Sequence, residues 1–262
     1  MRVENAKPKK SKRRGMRRGI YILPNLLTSG SLFCGFYSII ATFNGKYLYA
    51  AVAILAAIFF DGIDGKIARL TRSTSRFGVE FDSLSDLVAF GVAPGLFIFS
   101  WALWPYGRLG WLAAFLYVAC GALRLARFNV QVNTVESQYF RGLPIPAAAS
   151  LIATAFLFFN RLGESGETKH LFILPMIYVL AFLMVSNIRY HSFKNLELLK
   201  RKRFSTLVAM ILAIVVIVAE PEIMLFVFAS FYLMLGPMNA ILMWYKKKGI
   251  SLGRKKTESV LR

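Results

Sequence analysis

Acidic side chains are scarce in this 262-residue chain: 13 Asp and Glu stand against 33 Lys and Arg, a formal net charge of +20. Aspartate is scarcer still, for only Asp61, Asp64, Asp82 and Asp86 occur, all in one short stretch. There are two cysteines, Cys34 and Cys120, each inside an apolar run and without C-x-x-C spacing. That excludes a disulfide framework and a thiolate metal site, and both are read as small buried residues. The two histidines, His170 and His191, fall at the edge of an apolar run and in a connection, and form no ligand pair. Uncharged stretches, by contrast, abound. Hydrophobic residues make up 56% of the chain and the mean hydropathy is +0.53, above the range of an ordinary soluble domain. The basic residues cluster between apolar runs of spanning length, which argues against nucleic acid as a partner and for a polytopic membrane protein.

The expected fold is an all-α integral membrane bundle. A helix needs ~20 apolar residues to cross the hydrocarbon, and eight spans are expected at about 22–43, 47–70, 78–104, 109–129, 144–160, 170–187, 205–220 and 223–245. Residues 1–20 read as a basic tail and juxtamembrane segment, 21–245 as the membrane domain, and 246–262 as a second basic tail. The first dozen residues suit a disordered tail on anionic lipid, and Arg17 to Tyr21 a short interfacial helix. The first apolar run is too long for a signal-peptide core and lacks a small-residue cleavage site, so it is expected to be retained. Small residues four apart, Ser31 with Gly35 and Gly91 with Gly95, suggest helix contacts. With both termini on one side, that side holds 29 Lys and Arg and the other only Lys46, Arg108, Arg161 and Lys169. The positive-inside bias therefore predicts both termini in the cytoplasm, with the chain in the cell membrane.

The four aspartates are spaced i, i+3 in one expected helix and i, i+4 in the next, so each pair shares a face. Asp61 lies nine residues before the inner end of the second span and Asp86 eight residues after the inner start of the third. At ~1.5 Å per residue both sit ~12–14 Å below the cytoplasmic face, with Asp64 and Asp82 at matched shallower depths. Charge at such depth marks a functional site. No Lys or Arg follows any of these aspartates at i+3 or i+4, and two divalent ions, Mg2+ or Mn2+, are the simplest counter-charge.

Asp61, Asp64, Gly65, Ala68, Arg69, Gly78, Asp82 and Asp86 together read D-x-x-D-G-x-x-A-R-x8-G-x3-D-x3-D. This resembles the signature of the CDP-alcohol phosphotransferases, integral membrane enzymes of phospholipid synthesis. The resemblance implies that Asp61, Asp64 and Asp82 bind metal and that Asp86, besides serving as a ligand, is the base for the incoming hydroxyl. It places Gly65, Arg69 and Ser75 on the CDP moiety, with Ala68 and Gly78 beside them, and it implies a six-helix core, here with two further C-terminal helices, and a homodimer. Independently of any family, Gly65 and Gly78 lack side chains and permit close approach, while Arg69 suits a phosphate or the cytosine.

Three further stretches resemble the phosphatidylserine synthase branch: Leu23-Pro-Asn-Leu-Leu-Thr28, Gly121-Ala-Leu-Arg-Leu-Ala-Arg-Phe-Asn129 and Phe140-Arg-Gly-Leu-Pro-Ile-Pro146. The branch implies CDP-diacylglycerol and L-serine as substrates. Arg124 and Arg127, i and i+3 near the cytoplasmic end of the fourth span, could hold the serine carboxylate; as plain positive-inside residues they would instead lie at the headgroups. Asn25 and Thr28 are candidate serine contacts that also suit a helix start. Glycerol 3-phosphate or an inositol phosphate is the alternative acceptor, favoured by additional inward cations. A cation transporter could also keep membrane aspartates. It would not need Gly65, Ala68, Arg69 and Gly78 at these spacings, and the motif has no inverted repeat in the chain.

Overall fold

The computed structural model describes residues 12–71, 75–131, 139–163, 172–191 and 218–239, with the further helical positions 208, 211, 212 and 215. The helices are α1 (Lys12–Phe43), α2 (Tyr47–Leu70), a continuous helical run α3 (Arg76–Tyr106), α4 (Arg108–Gln131), α5 (Ile145–Arg161), α6 (Ile173–Val185) and α7 (Pro221–Asn239). Five of them contain stretches long and apolar enough to cross a membrane: Leu23–Phe43, Tyr47–Ile67, Arg76–Tyr106, Arg108–Val130 and Pro221–Asn239. The helices α5 and α6 are shorter, at 17 and 13 residues. Most of the span expected at 205–220, all of the C-terminal tail and residues 1–11 lie outside the described residues.

Two expectations change. Helix α1, Lys12–Phe43, runs unbroken through Arg17–Tyr21, so among the described residues that segment is continuous with the first span. Lys and Arg are good helix formers, and nothing between Lys12 and Leu23 is a breaker strong enough to interrupt propagation. Asn25 and Thr28 consequently sit well inside α1, not at its start, and Pro24 lies in the helix interior. One short β ladder was also not foreseen. Strand β1 (Tyr139–Arg141) pairs antiparallel with β2 (Arg189–His191), with Phe140 opposite Tyr190.

Close approach of backbones organises the bundle. Helix α1 ends in a Schellman closure: Gly45 has φ +68°, its N–H donates to the Thr42 carbonyl at 3.0 Å, and the Lys46 N–H donates to the Ala41 carbonyl at 2.8 Å. That turn folds α2 back along α1, where Ala50, Ala51, Ile54 and Ala57 are fully buried. The Ser31 hydroxyl donates to the Ala57 carbonyl at 3.2 Å, fixing the crossing. A Cβ on Gly35 would come within 2.5 Å of the Ala89 Cα, and one on Gly95 within 2.7 Å of Val118 Cγ2. The small residues expected at contacts thus mark where α1 meets α3 and where α3 meets α4. Gly142, at φ +80°, joins β1 to α5, and a Cβ there would lie 2.3 Å from the Met184 carbonyl oxygen.

Helix α3 is not uniformly α. Two segments, Leu87–Val92 and Phe99–Leu103, are π-helical, a wide-turn geometry that recurs beside functional sites. The buried Tyr117 hydroxyl on α4 donates to the Phe90 carbonyl at 2.9 Å and so satisfies a carbonyl within the first of them. At the end of the bundle remote from the aspartates, Phe97, Trp101 and Phe156 form an aromatic cluster with centroids 5.1–6.1 Å apart. Outward-facing side chains such as Phe33, Phe115 and Phe182 are more than 60% exposed, a surface suited to acyl chains and not to water.

Candidate active site

Helices α2 and α3 deliver the carboxylates. Asp61, Asp64 and Asp82 each bring one oxygen to within 4.8 Å of the others, and Asp64 is buried. An all-carboxylate donor set of this size suits a hard divalent cation such as Mg2+ or Mn2+ and does not suit a soft metal. Among the described residues the ion pairs within 4.0 Å are those of Arg161 with Glu220 and Glu222, so none of the described cationic side chains closes the aspartate group. The residues present therefore fit a divalent ion.

Helix α1 braces this group. The Thr28 hydroxyl, 5% exposed, donates to Asp64 Oδ2 at 2.8 Å and lies 3.1 Å from the Pro24 carbonyl. Ser85 on α3 donates to the Thr28 carbonyl at 3.1 Å. Thr28 therefore orients a carboxylate, and one Asp64 oxygen remains for a ligand. A second link ties α3 to α4, with Asn129 Nδ2 donating to Ser83 Oγ at 3.0 Å beside Asp82.

The CDP-side residues divide into two kinds. Ser75 caps α3, its Oγ accepting from the Gly78 N–H at 3.0 Å. A Cβ on Gly78 would meet Ser75 Oγ at 3.1 Å and Asn25 Oδ1 at 3.3 Å, so the chain's own side chains fill the space this glycine leaves. Gly65 is different: among the described residues a Cβ there would meet nothing within 4 Å. A helical glycine costs ~0.5–1 kcal/mol relative to alanine, and at Gly65 packing does not offset it. The side chains of Ala68 and Arg69 lie outside the described residues.

Asp86 stands outside the three-carboxylate group, against Asp61 on one side and in the field of Arg124 on the other. The two arginines differ in kind despite their i, i+3 spacing. Arg127 reaches across to the end of α6, donating to the Val185 carbonyl at 3.3 Å and to Asn187 Oδ1. Arg124 points inward, and its Nε is buried without a hydrogen-bond partner. It feels both Asp86 and Tyr232 of α7, yet among the described residues it makes no ion pair within 4.0 Å. Of the candidates named from the sequence, Asp61, Asp64, Asp82, Asp86, Gly65, Thr28 and Arg124 converge on one site, whereas Arg127 is engaged elsewhere. Ser85 and Tyr232 were not among those candidates, and Asn129 stood only at the end of a motif stretch. The sequence signal for each was no more than a polar side chain within an apolar helix.

The chain resembles known proteins over most of its length. The family model described as CDP-alcohol phosphatidyltransferase matches residues 21–186. The chain is 41% identical over 228 residues to the CDP-diacylglycerol--serine O-phosphatidyltransferase of Helicobacter pylori strain J99, covering 87% of this chain and 94% of that protein. It is 39% identical over 170 residues to the archaetidylserine synthase of Methanothermobacter thermautotrophicus, covering 64% of this chain and 69% of that one. To the CDP-diacylglycerol--serine O-phosphatidyltransferase of Bacillus subtilis it is 33% identical over 177 residues, 66% of this chain and 92% of that protein.

Proposed function

The chain belongs to the CDP-alcohol phosphatidyltransferase family, and from that premise we propose that it is a membrane enzyme transferring the phosphatidyl group of CDP-diacylglycerol to L-serine. The products are phosphatidylserine and CMP. A new bond joins the serine oxygen to the β-phosphorus, and the bond from that phosphorus to the CMP oxygen breaks. Relatives whose names specify serine span most of this chain, and a relative named for an archaeal lipid shares the serine. The observation that carries the reading is the pairing of Asp86 with Arg124. Asp86 lies in the field of the Arg124 guanidinium, whose Nε is buried without a partner, and among the described residues the two close no salt bridge; an amino-acid alcohol has the two groups that complement them. Its hydroxyl meets Asp86, and its carboxylate meets Arg124.

The chain's residues then divide the work. Asp61, Asp64 and Asp82, the second of them oriented by Thr28, would hold two divalent ions, Mg2+ or Mn2+. When bound, such ions neutralise charge on the diphosphate and on the attacking and leaving oxygens. Gly65 lets the nucleotide approach, and Ser75 and Arg69 hold it. Asp86 takes the serine proton as the oxygen attacks, and Arg124 fixes the serine carboxylate. The 29-to-4 distribution of Lys and Arg supports cytoplasmic termini, an eight-helix bundle and a site open to the cytoplasm of a cell membrane. The family resemblance supports a homodimer as the assembly.

The test is direct. Purified protein with CDP-diacylglycerol and divalent metal should release CMP with L-serine and not with glycerol 3-phosphate or inositol phosphate. Release with glycerol 3-phosphate alone would overturn the acceptor assignment and leave the family chemistry standing.

A further inference from the structure

The first wide turn of α3 has a cause in the sequence. Four residues after Phe90 stands Pro94, which has no N–H to donate and whose ring crowds the carbonyl four positions back. An unbroken α-helix would leave the Phe90 carbonyl both pressed and without its donor. The chain widens there instead: Leu87–Val92 is π-helical, and the Ala93 N–H reaches back five residues to the Val88 carbonyl. The Phe90 carbonyl is served from α4, where the fully buried Tyr117 hydroxyl donates to it at 2.9 Å. One side chain thus stands in for the N–H that proline lacks, as a carbonyl at this depth requires. The turn is also tightly enclosed. A Cβ on Gly91 would meet Leu87 Cδ1 at 3.1 Å and Ile145 Cδ1 at 3.7 Å, and one on Gly121 of α4 would lie 2.6 Å from Ile145 Cδ1. The start of α5 is therefore wedged where α3 meets α4, and α1 closes on the same turn where Gly35 meets Ala89.

Asp86 is the residue immediately before this turn. Asp82 is anchored by other means, since Ser83 accepts from Asn129 and Ser85 donates to the Thr28 carbonyl. Tightening Leu87–Val92 to α with no residue removed would turn the parts of α3 on either side against each other by about 100°. We infer that Tyr117 is a positioning residue: its hydroxyl, on the Phe90 carbonyl that Pro94 leaves without an α partner, holds open the turn that aims Asp86 at the acceptor hydroxyl. The inference rests on the reading of Asp86 as the base.

The full-length enzyme is assayed with CDP-diacylglycerol and L-serine as wild type, Tyr117→Phe, Asp86→Asn and the pair of both. Tyr117→Phe keeps the ring and removes the hydroxyl. It should lower kcat ~10–100-fold, up to the cost of misplacing a reacting group by about 1 Å, with the metal midpoint and the KM for CDP-diacylglycerol unchanged. In the Asp86→Asn background it should cost kcat nothing further, because both substitutions act on one group. A second pair separates aim from carbonyl satisfaction. Pro94→Ala supplies an N–H four residues after Phe90, so Tyr117→Phe with Pro94→Ala serves the carbonyl again and lets the turn tighten. The melting temperature in detergent should recover and kcat should not, even where Tyr117→Phe alone is too unstable to assay. Recovery of kcat as well would mean that the hydroxyl only satisfies a carbonyl, and the inference falls. It falls too if Tyr117→Phe keeps wild-type kcat while Asp86→Asn loses it, or if the two losses multiply when combined. If Asp86→Asn keeps full kcat, the base reading fails first and takes the inference with it.

Discussion

Thr28→Val isolates the contribution of α1 to the carboxylate group. Valine nearly reproduces the threonine shape, so a position that is 5% exposed stays filled while one hydroxyl is lost. What disappears is the 2.8 Å bond to Asp64 Oδ2. A hydrogen bond to a charged acceptor is worth ~1.5–3 kcal/mol, and ~1.4 kcal/mol is a factor of ten. The expected weakening of apparent metal affinity is therefore ~10–100-fold, which matches the usual effect of removing a group that orients a metal ligand. The assay is CMP release against Mn2+ or Mg2+ concentration at saturating substrates, with thermal stability in detergent as a control. Thr28→Ser, which keeps the hydroxyl, should retain most of the wild-type metal dependence. An unchanged metal midpoint in Thr28→Val would refute the reasoning, as would a loss of rate that added metal cannot recover in a protein of normal stability.

Chelation should abolish activity, and added Mg2+ or Mn2+ should restore it; full turnover in excess chelator would remove the carboxylate group from the chemistry. Asp86→Asn should lower kcat by ~10²–10⁴-fold, the range for loss of a general base, with the metal midpoint little changed because Asp86 stands outside the three-carboxylate group. Gly142→Ala should destabilise the protein, since left-handed strain alone costs ~1–3 kcal/mol and the new Cβ would strike the Met184 carbonyl; a melting temperature indistinguishable from wild type would contradict the structure there. In a variant lacking Cys34 and Cys120, an impermeant thiol reagent applied from outside should label Glu164→Cys and spare Asn195→Cys, and the reverse pattern would invert the proposed topology.

The carboxylate site was legible because its signal is local. Two pairs at i, i+3 and i, i+4 on consecutive helices fix a shared face whatever the rest of the bundle does, and Asp61, Asp64 and Asp82 do meet. Thr28 was recognisable as a polar residue in an apolar span, but its partner Asp64 is 36 positions away, and no periodicity reports how α1 is rotated against α2. The same spacing rule that brought Arg124 and Arg127 to one face could not distinguish them. Their long side chains diverge, one inward and one to Asn187. Three-residue strands carry no alternation to detect, so β1 and β2 were illegible. The helical continuity of Lys12–Tyr21 with the first span was hidden because a basic run that looks like a tail is also a competent helix.

The π-helical stretch Leu87–Val92 sets the angular phase of everything that follows Asp86. An α-helix advances about 100° per residue, so a wide turn shifts the outward bearing of all later side chains relative to the earlier ones. The half of α3 that carries Asp82 and Asp86 can thus be aimed independently of the half that carries Phe97 and Trp101. Deleting one residue from Leu87–Val92 and letting the segment relax to α would leave the two halves nearly in phase, because five α residues at about 100° each turn about as far as six in the wider helix; the same deletion in an α part of α3 would turn them against each other by about 100°. A single-residue deletion is thus absorbed within this wide turn, and outside it is a change of aim.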